Sequence, residues 1–232
     1  MSAYTDYIQS LVKHYSGQVL SWDVVNEPVL DNGSGLRPCL WQRVLGDDYI
    51  GLALTAAQEA DPGALLFIND YNLESSPAKR RTLLKLVEHL QKTGAPIHGI
   101  GTQTHIDASL SAGMISDALR DLRQTGLKIH VSEVDISLHE DHPAGLVQPR
   151  RDQVRLIDEL LNAYYDLPSH QRHGLTFWGI RDSDSWLNHQ KSLGLPDSPL
   201  LFDSQGRAKP LARRFVQDAR SEPQSDRSRK PS

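Results

Sequence analysis

Two glutamates close short apolar runs and are the side chains best placed to do chemistry. Glu27 ends Ser21-Trp22-Asp23-Val24-Val25-Asn26-Glu27, and Glu133 ends Lys128-Ile129-His130-Val131-Ser132-Glu133, with Asp135 two residues on. A carboxylate at the end of a buried strand is costly unless something there uses it. Either run alone reads as a strand that stops in a salt bridge. Together they supply the carboxyl pair that glycoside hydrolysis requires, one group to donate a proton and one to act as nucleophile or base.

The elements that must position this pair alternate along the chain. Helical spacing of apolar residues covers 4–15, with Gly17 as a stop, and recurs over 48–60, 77–93, 114–125, 150–165 and 210–219. Between these helices, strand-like runs fall at 19–25, 65–68, 97–103, 127–132 and 175–179. Strands apolar on both faces and separated by helices predict a parallel α/β sheet. Polar and aromatic residues gather just after each strand: Asn26 and Glu27, Asp70 and Tyr71, Gln103 and His105, Glu133 and Asp135, Trp178 and Trp186. In a (β/α)8 barrel those strand ends carry the active site. A doubly wound sheet is the alternative, although no glycine-rich nucleotide loop follows any strand.

Bulk properties narrow the partners. The 232 residues include 25 Lys plus Arg against 29 Asp plus Glu, a net charge of −4, with 38% apolar residues. That balance gives no reason to expect nucleic acid or an anionic membrane as partner. The one cysteine, Cys39, excludes an intrachain disulfide and a cysteine-based metal site. The ten histidines show no metal-ligand spacing, and neither a metal nor a cofactor is expected. No run is long enough for a membrane span. The opening residues 1–7 are too polar for a signal peptide, and 221–232 read as a disordered tail.

Five strand ends resemble glycoside hydrolase family 10, the endo-β-1,4-xylanases, in order and in detail. The stretches that carry the resemblance are Trp22-Asp23-Val24-Val25-Asn26-Glu27-Pro28, Phe67-Ile68-Asn69-Asp70-Tyr71-Asn72, Gly99-Ile100-Gly101-Thr102-Gln103-Thr104-His105, Val131-Ser132-Glu133-Val134-Asp135-Ile136 and the run from Thr176 to Trp186. The resemblance implies xylan or xylo-oligosaccharide as substrate and an extracellular setting. It implies Glu27 as general acid/base and Glu133 as nucleophile of a retaining double displacement. Asn26 would bond the 2-hydroxyl of the reacting sugar. His105 would touch the nucleophile and Asp135 would orient that histidine, with Gln103 completing a polar floor. Trp178, Trp186 and Tyr71 would offer flat faces to pyranose rings. Trp22 and Trp41 read as core, Asn69 and Asp70 as caps of the turn after the second strand, and Arg181 with Asp182 as a local ion pair.

The family barrel has eight strands and barrels of this kind run to about 250 residues. The five strands read here correspond to the fourth through the eighth, so 1–220 are expected to form an incomplete (β/α)8 TIM barrel lacking its first three strands. Three accounts compete. The chain is a fragment or an incomplete gene model, a short protein completed by a partner chain, or a non-catalytic remnant that binds carbohydrate through Trp178, Trp186 and Tyr71.

Overall fold

The computed structural model describes residues 2–138, 147–190 and 196–221. The elements are α1 (Ser2–His14), β1 (Ser21–Asn26), α2 (Leu40–Leu45), α3 (Tyr49–Ala60), β2 (Leu65–Asp70), α4 (Pro77–Lys92), β3 (Gly99–Thr102), β4 (His105–Asp107), α5 (Met114–Arg123), β5 (Lys128–Ser137), α6 (Val147–Tyr165), β6 (Arg172–Phe177), α7 (Trp186–Gln190) and α8 (Pro210–Ser221). Local chemistry explains the boundaries. Ser76 caps α4 by accepting from Lys79 N, with Pro77 at the first position where a missing N–H costs nothing. In α5, Ile115, Ala118, Leu119 and Leu122 are buried at helical spacing, so one stripe faces the sheet.

All strand pairs are parallel. The order runs β1-β2-β3-β5, with β4 pairing further along β5 and β6 also on β5. Order in space thus follows order in the chain. A doubly wound sheet would reverse at a switch point, and this one does not. Curvature is visible in one contact: Ser21 Oγ in β1 lies 3.0 Å from His173 Nε2 in β6. In a flat sheet these outer strands of the described set would stand roughly 19 Å apart, four spacings of about 4.8 Å. The sheet therefore curls as a barrel wall does.

The strand expected at 97–103 is observed as the shorter β3. It stops before Gln103, and the chain rejoins the sheet as β4 only after Thr104, which takes a left-handed backbone with φ 60°. Two short helices, α2 and α7, were not expected from periodicity; six and five residues are too few to show it. The tail beyond Ser221, and His139 and His142, lie outside the described residues.

The core between sheet and helices is apolar, with Ile50, Leu54, Leu66, Ile68, Leu83, Ile100, Leu122, Ile129 and Leu160 fully buried. On the concave side β3 is bare. A Cβ at Gly99 would fall 2.0 Å from the Phe67 ring, and one at Gly101 would fall 2.2 Å from Asn69 Oδ1. Side chains of β2 thus lie directly over the backbone of β3. Large apolar side chains remain exposed on α1 and beside β1, including Tyr7, Leu11, Tyr15 and Leu20.

Candidate active site

The carboxyl ends of the strands open into a cavity of about 890 Å³ whose lining includes Asn26, Glu27, Tyr71, Gln103, His105, Glu133, Asp135, Trp178 and Trp186. All nine residues singled out from the sequence therefore share one cleft. Two successive residues at the end of β1 reach it. The register with β2 shifts between Asp23 and Val25, and β1 ends at Asn26. Glu27 then takes a left-handed backbone with φ 55°, which breaks the alternation so that it shares the cleft with Asn26. Its N–H donates to Asn69 O at 2.7 Å, which ties this strained residue to β2.

An unforeseen loop residue also holds Glu27. Arg37 Nε donates to Glu27 O at 3.1 Å and Nη2 donates to Val29 O at 3.1 Å. The same Nη2 lies 2.8 Å from Asp31 Oδ1 and 2.8 Å from Tyr71 Oη. Tyr71 in turn donates to Asp31. Those bonds from Tyr71 and Arg37 hold the Asp31 carboxyl down at about 2. The loop after β1 and the cleft tyrosine of β2 are thus one unit.

Asn69 is the main correction to the sequence reading. It is 2% exposed and caps no turn. Its Nδ2 donates to Glu133 Oε1 at 2.8 Å and to Asn26 Oδ1 at 3.0 Å, and its Oδ1 accepts from Ser132 Oγ at 2.8 Å. Asp70 is no simple cap either. It is fully buried against Lys79 Nζ at 2.8 Å, and its Oδ2 accepts from Val29 N. Lys79 Nζ also stands 3.3 Å from the centroid of the Tyr71 ring, a cation–π contact beneath the cleft wall.

Gln103 spans the floor. Its Nε2 donates to Glu27 Oε1 at 3.2 Å and to Asn26 Oδ1 at 3.3 Å. With Oδ1 of Asn26 occupied by Asn69 and Gln103, its Nδ2 is left as the cleft-side donor, 3.4 Å from Glu27 Oε1.

His105 sits between two carboxylates. Nε2 is 3.3 Å from Glu133 Oε2, and Nδ1 is 2.9 Å from Asp135 Oδ2, the latter an ion-pair contact off the ideal hydrogen-bond line. Burial alone would lower the imidazole pKa, but Asp135 and then Glu133 outweigh it and raise it to about 9. The ring is therefore a cation at neutral pH. Asp135, 1% exposed, is also fixed by Trp186 Nε1 at 2.8 Å. The Trp186 and Trp178 rings meet His105 edge-on at 5.3 and 6.4 Å between centroids, and Trp178 is 49% exposed, with much of its surface open to a ligand.

Other assignments sort themselves. Asp23 stays open to solvent, yet the protein around its carboxyl raises its pKa, and the Glu133 charge raises it further. Arg181 pairs with Asp184 at 2.9 Å instead of Asp182. Asp182 is buried and bound to Lys209 Nζ at 3.0 Å, which pins the loop carrying Trp186 to the start of α8. Trp22 packs against the core and Trp41 lies 4.6 Å from the Tyr4 ring, as core residues do. Among the described residues no group of His, Cys, Asp or Glu is arranged to hold a metal ion, and no helix is long and apolar enough to cross a membrane.

A curled parallel sheet with two glutamates in one cleft over its carboxyl ends has the architecture of a barrel glycoside hydrolase. The family model for glycosyl hydrolase family 10 matches residues 1–218, and the chain belongs to that family. It is 41% identical over 217 residues to an endo-1,4-beta-xylanase of Geobacillus stearothermophilus, covering 90% of this chain and 66% of that protein. It is 36% identical to endo-1,4-beta-xylanase B of Paenibacillus barcinonensis, covering 88% of this chain and 64% of the relative. The chain thus spans a little under two thirds of the length of these curated relatives. A thermostable mutant of a xylanase from Cellvibrio japonicus superposes with a TM-score of 0.84 at 32% identity, covering 92% of this chain and 69% of that one. Such neighbours place the sheet within the (β/α)8 barrel class.

Proposed function

We propose that the cleft is the catalytic centre of a retaining endo-1,4-β-xylanase, with β1, β2, β3 and β4 together, β5 and β6 taking the places of the fourth to eighth barrel strands. The observation that carries the reading is the asymmetry between the two glutamates. Glu133 is held at both oxygens, Oε1 by the Asn69 amide and Oε2 by the His105 imidazole, which together aim its carboxyl into the cleft. Glu27 is bonded, among the described residues, at Oε1 alone, by the Gln103 and Asn26 amides, and its backbone is tied to Tyr71 through Arg37. The carboxyl held at both oxygens suits a nucleophile fixed on the anomeric carbon, and the one with a free oxygen suits contact with the leaving oxygen and then water.

In the first step a Glu133 oxygen attacks the anomeric carbon while the glycosidic C–O bond breaks and Glu27 passes its proton to the leaving oxygen. In the second, Glu27 takes a proton from water, the water oxygen bonds to the anomeric carbon, and the ester to Glu133 breaks. Two inversions give net retention. Asn26 Nδ2 is placed to bond the sugar 2-hydroxyl as charge develops. Trp178, Trp186 and Tyr71 would bury the apolar faces of xylose rings. Proton NMR of xylan oligomers during early hydrolysis by this chain tests the reading. The β-anomer should appear first at the new reducing end, and an initial α-anomer would overturn it.

A further inference from the structure

Three non-glycine residues among those described have left-handed backbone, and one of them, Thr104, is β-branched, which makes that conformation especially unfavourable. Thr104 stands between Gln103, which reaches Glu27, and His105, which reaches Glu133. Its kink breaks the strand between them and so sets the aim of each relative to the other within the cleft. In a regular strand these two side chains, two residues apart, would share one face and one spacing, so the angle held at Thr104 sets how far the aim of one departs from the other.

A buried carboxylate holds this kink. Glu74, 1% exposed in the loop after β2, accepts at one oxygen from both Thr102 Oγ1 at 2.6 Å and Thr104 Oγ1 at 2.7 Å. Both threonines are fully buried away from water, and although Thr104 Oγ1 also lies 3.3 Å from Thr102 O, Glu74 is the nearer acceptor for each hydroxyl. The loop itself is fixed next door, where Arg80 Nη1 donates to Leu73 O at 2.6 Å while Arg80 Nε pairs with Asp121 at 2.8 Å. Glu74 lies outside the cleft lining.

We infer that Glu74 is a positioning residue for the catalytic pair: by clamping the two threonine hydroxyls it stabilises the strained Gln103-Thr104-His105 turn, and so aims Gln103 at Glu27 and His105 at Glu133 simultaneously. It touches neither glutamate and acts only through that turn. The other Glu74 oxygen is buried without a hydrogen-bond partner among the described residues, so exchanging it for an amide breaks no bond.

The meaning of any activity change rests on the function proposed above, so the test has an arm that does not need turnover. The His105 imidazole is titrated by NMR in the full chain and in Glu74→Ala, Glu74→Gln and Thr104→Val. Misaiming the ring away from Glu133 and Asp135 should lower its midpoint by about one pH unit or more in Glu74→Ala and Thr104→Val. Glu74→Gln, which keeps the accepting oxygen, should titrate as the parent does. On an aryl xyloside, Glu74→Ala should lower kcat roughly 10- to 100-fold with KM little changed. Adding it to a Gln103→Ala, His105→Ala background should cost little more, since its effect is routed through those residues. If Glu74→Ala does not fold, Thr104→Val, which removes one clamped hydroxyl at constant shape, decides the question. An unchanged His105 midpoint in a folded clamp variant overturns the inference, as does an additive loss in the combined variant. Absence of turnover in the parent chain would count against the xylanase reading, and the titration would still decide Glu74.

Discussion

Asn69 Nδ2 donates to Glu133 Oε1 at 2.8 Å while its Oδ1 accepts from Ser132 Oγ, the residue just before that glutamate. One amide on β2 thus fixes both the side chain of Glu133 and the strand that bears it. Asn69→Asp would set a carboxylate against a carboxylate. Its kcat on an aryl xyloside should fall on the order of a hundredfold, the cost of a misaimed reacting group. Asn69→Ala should in addition lose about 1–3 kcal/mol of stability, because Ser132 is left buried without its acceptor. Wild-type kcat in Asn69→Asp would refute the aiming role.

The division of labour between the glutamates is checked by rescue. With an activated aryl xyloside, Glu27→Ala should accumulate the glycosyl-enzyme, and azide should accelerate turnover to the β-xylosyl azide. Any azide product formed by Glu133→Ala should be the α-anomer. The opposite pairing of variant and anomer would exchange the two roles.

Two histidines set the pH window of stability from opposite sides. His105 has its folded-state pKa raised to about 9, so its contribution is full below an unfolded value of about 6.5 and disappears as pH climbs through 9. His130 is lowered to about 4, first by burial and then by His173, so its neutral form is tolerated without cost above about 6.5 and stability drops as pH falls toward 4. Chemical denaturation across this range should show greatest stability near pH 6.5. The alkaline loss should be at most about 3 kcal/mol and should vanish in His105→Asn. A flat profile from pH 6.5 to 9 in the parent would contradict the charged imidazole.

Lys79 and Asp70, both without exposed side-chain surface, form an ion pair that depends on having both members. Lys79→Met should destabilise by roughly 3–5 kcal/mol by leaving Asp70 buried and uncompensated. Adding Asp70→Asn should recover much of that loss, read as the midpoint of urea unfolding. Equal destabilisation in the single and double variants would show that packing, not charge, dominates there.

The strand ends were legible because a carboxylate, a histidine or an exposed tryptophan stands out against the apolar run before it. Directions of side chains were not. Asn69 sits where an Asx turn is the ordinary reading, but strand register sets it beside Gly101, and the missing side chain there lets it reach across β3 to Glu133. The left-handed backbone at Glu27 that lets it share the cleft with Asn26 leaves no trace in a pattern of alternation. Likewise Thr104 breaks the third strand through a backbone angle that its own side chain disfavours, so propensity predicts the reverse. Arg37 lies in a loop without periodicity, and its bonds to Glu27, Val29 and Tyr71 exist only in three dimensions.

Gly101 carries a consequence for how such a cleft can be altered. The space Asn69 fills is left open because its neighbouring strand offers no Cβ; a methyl group there would land 2.2 Å from Asn69 Oδ1. Even alanine, the smallest change available, would therefore collide with Asn69 and, by evicting it, release Glu133, which the methyl group itself does not reach. Reshaping the sugar site must then proceed from the rim, through residues such as Tyr71, Trp178 and Leu187, while the Gly101 position beside Asn69 admits no added atom. Where Glu133 points is decided by a methyl group that is not there.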